Sequence, residues 1–318
     1  LGSPNDFVPD MDQDALAAFA QLEVPLGDAG LLRTGLRHEE IEVDTGRVAS
    51  NRNGHTVNGG TLEYGETLFN LSGVWFVTES AEIFGGFSQG FSLASLGRVI
   101  RDAGPRPGTA GYAQQTFDVE QFEDDAEKVD NYELGIRTYT RNVEASVALF
   151  YSESDNGTTF DSNLDIQKFS EEIYGIEASV DYRVGDATSV GGTLSYSEGE
   201  QEAADGTEQD LPNTRIAPEK LTAYVEHAPT SRWNNRLQLQ AIGHRDPNTT
   251  LFGGGEVESY QLVDFVSSYR IGPGTARLSI SNLLNEDYFP LINQASDRPY
   301  TYAKGQGRRL GVSYAVEW

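Results

Sequence analysis

The last residues of the chain confine it to a narrow set of folds. Leu310, Val312, Tyr314, Val316 and Trp318 alternate with Arg309, Gly311, Ser313, Ala315 and Glu317. Successive side chains of a strand point to opposite faces, so this is a strand with one apolar face, ending on an aromatic residue. An exposed terminal strand of this kind is a liability in water. It is stable where that face meets lipid and the terminal aromatic sits at the lipid–water interface.

The same alternation recurs along the chain. Tyr174, Ile176, Ala178, Val180 and Tyr182 oppose Gly175, Glu177, Ser179, Asp181 and Arg183. Eight residue steps of a strand cover roughly 26 Å, and a tilt of about 40° brings that to roughly 20 Å, close to the apolar band of an outer membrane. Further apolar faces are Leu16 to Val24, Leu32 to Leu36, Phe69 to Trp75, Ile83 to Phe87, Tyr132 to Ile136 and Val143 to Tyr151, each read at every second residue. Val190 to Tyr196, Leu221 to Val225, Leu237 to Ala241, Val263 to Tyr269 and Ala276 to Ile280 continue the series, for about thirteen strands with the last.

The connections alternate in length. Short turns rich in Gly, Pro, Asn and Asp are expected at 25–30, 78–81, 140–142, 185–188, 227–231 and 272–274. Long polar stretches lie between them, at 44–60, 92–130, 153–169, 197–218, 245–258 and 284–306. Sorting by length is the habit of an up-and-down transmembrane barrel, with short periplasmic turns and long outer loops. The expected fold is therefore all-β, an antiparallel up-and-down transmembrane β-barrel. An odd strand count, with the last strand running to the periplasm, makes the first strand enter from an outer loop. Single-chain bacterial barrels have even counts and periplasmic termini, so the chain is expected to be the C-terminal portion of a larger barrel. That it begins at Leu1, with Met11 its single Met and no leader-like segment, fits processing or truncation.

Composition removes other classes. A net charge of -26 leaves nothing to neutralise phosphates, so nucleic acid is not an expected partner. The absence of Cys excludes disulfides, thiolate catalysis and Cys-ligated zinc. No apolar run approaches the length of a membrane helix, and a barrel wall needs none. His38, His55, His227 and His244 are scattered, without metal-ligand spacing, and read as surface or lumen polarity, with His38 at the membrane interface. The run Gly253-Gly254-Gly255 reads as a flexible loop. No catalytic constellation and no metal site is expected.

Four segments carry a resemblance. They are residues 83–92, with Gln89-Gly90-Phe91; residues 129–137, with Asn131-Tyr132-Glu133-Leu134-Gly135; residues 279–288, with Asn282-Leu283; and Gly305-Gln306-Gly307-Arg308 before the last strand. In this order they resemble the C-terminal barrel half of TonB-dependent receptors of the ferric-siderophore type. The resemblance implies a 22-stranded barrel filled by an N-terminal plug, with the plug, the TonB box and about nine strands absent from residues 1–318. It implies a ferric siderophore as ligand, with iron entering only in that form and no cofactor. The implied partners are TonB through the absent N-terminal region, outer-membrane lipid and lipopolysaccharide, and the barrel-assembly machinery. Residues 90–98 lack the Phe-Arg-Ala-Pro box of heme receptors, which argues against heme. Cobalamin, heme or another chelate, an oligosaccharide, a passive porin-like channel and a soluble all-β secreted enzyme or carbohydrate binder stay open as alternatives.

Candidate ligand contacts follow from charge. Arg98, Arg101 and Arg106 in an otherwise acidic chain suit an anionic ferric chelate, with Tyr112 and Phe117 to pack on it. Pairing of these Arg with the acidic residues at 118–130 is the competing reading, and calcium binding there matches no EF-hand spacing. Arg298, Tyr300, Tyr302 and Lys304 form a second candidate patch, with interfacial aromatics and snorkelling cations as its alternative. Arg33, Arg37, Glu177, Asp181, Arg183, Arg236 and Arg277 fall on polar strand faces, where they would bond the plug and neighbouring strands. Trp75, Tyr151, Tyr174, Tyr182, Tyr196, Tyr314 and Trp318 read as membrane-interface anchors.

Overall fold

A computed structural model describes residues 9–93, 96–122, 126–160, 166–203, 206–247, 254–296 and 302–316. The strands are β1 (Met11–Pro25), β2 (Gly30–Thr45), β3 (Thr56–Asn58), β4 (Gly60–Thr78), β5 (Ala81–Ser92), β6 (Thr116–Asp118), β7 (Glu127–Tyr139) and β8 (Val143–Phe160). They continue with β9 (Ile166–Arg183), β10 (Thr188–Ala203), β11 (Glu208–Asp210), β12 (Lys220–Thr230), β13 (Trp233–Ile242), β14 (Tyr260–Ile271), β15 (Gly274–Ser281) and β16 (Arg309–Val316). Two short helices, α1 (Leu96–Asp102) and α2 (Leu291–Ala295), sit in long loops. Among the described residues no helix is long and apolar enough to cross a membrane.

One sheet runs β1-β2-β4-β5-β7-β8-β9-β10-β12-β13-β14-β15-β16, each strand antiparallel to its chain neighbour in that order. These are the thirteen strands that the alternation marks. The small β11 adds to β10, and β3 pairs with β6 in parallel outside the wall. In the described sheet β1 pairs with β2 alone and β16 with β15 alone.

Register carries the apolar positions from strand to strand. Ile83 pairs with Ile136 and Ile136 with Val147, while Leu134 pairs with Leu149 and Leu149 with Ile176. Farther along, Leu194 faces Leu221, Leu237 faces Phe265, and Leu278 faces Val312. A one-residue slip would turn every one of these to the other face, so the pattern holds the ladder in place. The face is exposed: Leu134 is 58% accessible, Leu149 54% and Val312 78%. So wide an apolar surface across a whole sheet suits acyl chains, not water.

Aromatic side chains bound that face. Toward the long loops Phe87, Tyr132, Tyr151 and Tyr174 stand side by side on four strands; the Phe87–Tyr132 and Tyr132–Tyr151 ring centroids are 5.0 and 6.0 Å apart. Toward the short turns lie Trp75, Tyr182, Trp233, Tyr269 and Tyr314, where Tyr314 Oη donates to the Ile271 carbonyl at 2.9 Å. Rings with an apolar body and a polar tip settle at the two lipid–water interfaces.

The short turns fall where expected, except that β12 continues through an irregularity in register to Thr230 and turns at 231–232; the hairpin between Ile271 and Gly274 closes through Gly272 at φ 58°, a conformation glycine adopts without strain. Two expected loops are largely strand. β8 and β9 run to Phe160 and from Ile166, and β10 runs to Ala203, well past the aromatic belt. Above the lipid the ladder continues with charges on both faces, so the apolar period ends before the strand does. The run Gly254-Gly255, read from sequence as flexible, is buried: Gly255 N–H donates to the Ala295 carbonyl at 3.0 Å and its own carbonyl accepts from Asn213 Nδ2 at 2.8 Å. Gly253 lies outside the described residues.

The packed core sits at the loop end of the wall. Val48, Val57, Ile100 and Val119 from the long loops are buried together against Leu62 on β4.

Candidate functional site

Two long loops fold into one module over the strand ends. Its frame is a set of buried side-chain amides that satisfy backbone groups no ladder reaches. Asn51 is fully buried; its Nδ2 donates to the Ile100 and Ala103 carbonyls, each at 3.0 Å, and its Oδ1 accepts from the Asn53 and His55 amides, each at 3.0 Å. Asn53 Nδ2 donates to the Asp102 and Gly104 carbonyls at 2.8 and 3.1 Å. Both loops are thereby tied to the end of α1.

His55 is fully buried, against the sequence expectation of surface or lumen polarity. Its Nδ1 accepts from the Gln115 amide at 3.0 Å and its Nε2 donates to the Pro105 carbonyl at 2.8 Å. The Tyr112 and Phe117 rings flank it, with centroids at 5.5 and 5.6 Å. Gly104, at φ 77°, passes so close to the imidazole that a Cβ there would lie 2.6 Å from its Cδ2.

The predicted ligand contacts divide between frame and surface. Tyr112 Oη donates to the Asn53 carbonyl at 2.9 Å, so Tyr112 and Phe117 both pack within the module. Arg101 makes two hydrogen bonds to Asp102 Oδ2, at 2.7 and 3.2 Å, and Arg52 reaches Asp102 Oδ1 at 3.4 Å. Burial alone would raise the Asp102 carboxyl, but Arg101 and Arg52 outweigh it and hold the group below its ordinary range. One carboxylate thus meets two guanidiniums, and the Arg52 side chain stays two-thirds exposed. Arg98 and Arg106 are exposed on the same module. Of the second patch, Tyr302 packs edge-on against Phe289 at 5.5 Å and Lys304 pairs with Asp287 at 2.7 Å; Arg298 and Tyr300 lie outside the described residues.

A second loop assembly covers the other strands. Asn213, fully buried, donates to the Asp246 and Gly255 carbonyls at 2.9 and 2.8 Å and accepts from Arg245 Nε at 2.9 Å. Arg245 also holds Glu198 at 2.5 Å. Arg215 reaches Glu171, three residues beyond Tyr174 on the loop side, at 2.5 Å. Burial raises the Glu171 carboxyl, and Arg215 only partly offsets it. Sequence spacing gives no sign of these amides: a buried Asn in a long loop reads like any other polar loop residue.

The predicted lumen charges all fall on the polar face, and most find partners on the wall itself. Arg33 pairs with Glu23 at 2.8 Å, Arg37 with Glu39 at 2.7 Å and Arg236 with Glu226 at 3.5 Å. Arg236 also lies 3.9 Å over the Tyr224 ring, whose hydroxyl donates to Asp181. Arg277 Nε lies 3.4 Å from Ser268 Oγ, while Glu177 and Arg183 are exposed. Arg137, which the sequence reading omits, pairs with Glu82 and lies 5.2 Å over Phe84. A groove of about 530 Å³ on this face is lined by Arg33, Ser72, Gly86, Asn131, Glu133 and Arg137 among others. Of the predicted interface aromatics, Tyr151, Tyr174 and Tyr196 stand toward the loops and Trp75, Tyr182 and Tyr314 toward the turns; Trp318 lies outside the described residues. Trp233 and Tyr269 occupy the same lower belt, although neither is among the predicted anchors.

Comparison with known proteins places this geometry. Residues 1–283 match the family model for the TonB-dependent receptor-like β-barrel. The chain is 29% identical to the ferric aerobactin receptor of Klebsiella pneumoniae, covering 97% of this chain and 45% of that protein. It is 24% identical to the rhizobactin receptor of Rhizobium meliloti (strain 1021), over 96% of this chain and 43% of that one. Among solved structures, the unliganded ferric citrate transporter FecA superposes with a TM-score of 0.75 at 18% identity, over 96% of this chain and 45% of FecA. The closed form of the ferric-catecholate import receptor Fiu from E. coli K12 gives 0.72 at 16% identity, over 96% and 44%. The chain spans less than half the length of the relatives it matches. A sheet with a lipid-facing apolar side, sorted loops and this family match together mean that the chain belongs to the TonB-dependent receptor β-barrel family of the outer membrane.

Proposed function

We propose that the chain forms wall and outer loops of a receptor that imports a ferric siderophore across the outer membrane, energised by TonB, with transport and no chemical conversion. One observation carries this reading: likeness over 97% of the chain to a ferric aerobactin receptor. The loop module supports it, because it presents Arg52, Arg98 and Arg106 outward from an acidic chain, as an anionic ferric chelate requires. In this reading the open edges of β1 and β16 belong to a closed barrel completed by further strands, and the polar face, with Glu177 and Arg183 exposed on it, receives a plug.

Uptake of ⁵⁵Fe-aerobactin by iron-starved cells tests it. Deleting the gene should abolish uptake, restoring the gene should recover it, and loss of TonB should abolish it again. Unchanged uptake of every defined siderophore after deletion would overturn the assignment, and uptake indifferent to TonB would mark a passive channel.

A further inference from the structure

The buried imidazole of His55 is set among groups whose hydrogen-bond roles cannot change. The Gln115 partner is a backbone N–H, which only donates; the Pro105 partner is a carbonyl, which only accepts. The closed module therefore holds one form of the ring: neutral, with bare Nδ1 and the proton on Nε2. A second proton could go only to Nδ1. There it would point at the Gln115 N–H, 3.0 Å away, and the cation would be buried between Tyr112 and Phe117.

Among the described residues no carboxylate bonds the ring. From α1, Asp102 is engaged by Arg101 and Arg52, and Arg98 is exposed. From the segment between α1 and β6, Arg106 is exposed and Tyr112 is bonded to the Asn53 carbonyl. From β6, Asp118 accepts from Asn58 at 2.8 Å. The contact that would break stands at the head of the β3–β6 ladder: Gln115 precedes Thr116, which pairs with Thr56, and the Thr56 amide donates to the Gln115 carbonyl at 3.0 Å.

We propose that His55 is a proton-sensitive latch: its neutral ring clasps the loop at 46–59 to the loop at 93–126, and protonation releases them. The latch stands on loop geometry and holds whatever the cargo is.

The chain has no cysteine, so spin labels at Ala49→Cys and Ala113→Cys, both exposed, can report the separation of the two loops in the full-length receptor in lipid nanodiscs. Pulsed dipolar distances at pH 7.5 should be narrow and should broaden to longer values by pH 5. His55→Gln can accept from Gln115 and donate to Pro105 without titrating, and should remove the pH response. A wild-type distribution unchanged from pH 7.5 to 5 would overturn the latch, as would a wild-type response surviving in His55→Gln, where the other three His remain. Neither result bears on siderophore uptake, which is measured separately.

Discussion

Phe150 on β8 fills the space opposite Gly175 on β9: the two are direct cross-strand partners on the polar face, and a methyl group added at Gly175 would lie 2.6 Å from the ring's Cζ. Tyr224 stands in the same relation to Gly191, and Phe84 to Gly135. An aromatic ring beside a strand glycine restores packing the glycine lacks and leaves the wall shallow. Gly175→Val should therefore press on the Tyr196 carbonyl of β10 as well as on Phe150 and cost about 1–3 kcal/mol, the usual range for overpacking. Urea unfolding of the folded receptor in detergent should show the lower midpoint. Gly65→Ala, where no atom lies within 4 Å, should leave it unchanged.

Asn282 holds the last long loop. It adopts φ 51°, is buried, donates to the Glu286 and Gln306 carbonyls at 2.9 and 3.1 Å, and accepts from the Glu286 amide at 2.7 Å. Asn tolerates the left-handed region better than other side-chain-bearing residues. Asn282→Ala should cost roughly 2–4 kcal/mol by combining backbone strain with orphaned buried groups. Asn282→Gly relieves only the strain, so it should cost less. Amide exchange across 282–296 should rank the three proteins accordingly.

Asp102 and Glu171 should respond oppositely to acid. The Asp102 carboxyl is lowered in the folded module, so its contribution is present above the ordinary carboxylate range and is lost as pH falls through its folded value. Glu171 is raised, so its charged form opposes folding at neutral pH and protonation relieves that cost. Asp102→Asn should loosen the first module by roughly 1–3 kcal/mol, less than a fully buried pair because Arg52 is well hydrated. Glu171→Gln keeps an acceptor for Arg215 and should be neutral or slightly stabilising. Exchange rates of each loop at pH 7 separate the two.

The wall should tolerate charge by height and face. Leu149→Arg places a guanidinium between Leu134 and Ile176 at acyl-chain depth and should cost about 2–4 kcal/mol. Glu63 pairs directly with Glu42 above the aromatic belt. Like charges directly opposite destabilise, so Glu63→Arg should stabilise by up to about 1 kcal/mol. Guanidine-dependent unfolding in lipid vesicles measures both.

What sequence makes legible here is what repeats. Leu134, Leu149 and Ile176 reveal their shared face because lipid demands an apolar side chain at every second position. Past Tyr151 and Tyr174 that demand stops, and the upper ladder of β8 and β9 reads as loop although it pairs to Phe160 and Ile166. The loop module has no period. His55, Asn51 and Asn53 are brought to carbonyls some fifty residues away by chain folding that no local pattern records. Arg98, Arg101 and Arg106 stand out by charge alone, which cannot tell exposed Arg106 from Arg101 held on Asp102.

The face assignment can be measured on β9 alone. Single Cys spin labels at positions 174–182, in a chain with no Cys of its own, should show collision with oxygen rising and falling at every second residue in a lipid bilayer. Ile176, Ala178 and Val180 should be high for oxygen and closed to a water-soluble nickel chelate, with Gly175, Glu177, Ser179 and Asp181 the reverse. A flat profile, or nickel access at Ala178 equal to that at Glu177, would contradict a wall whose apolar face meets lipid.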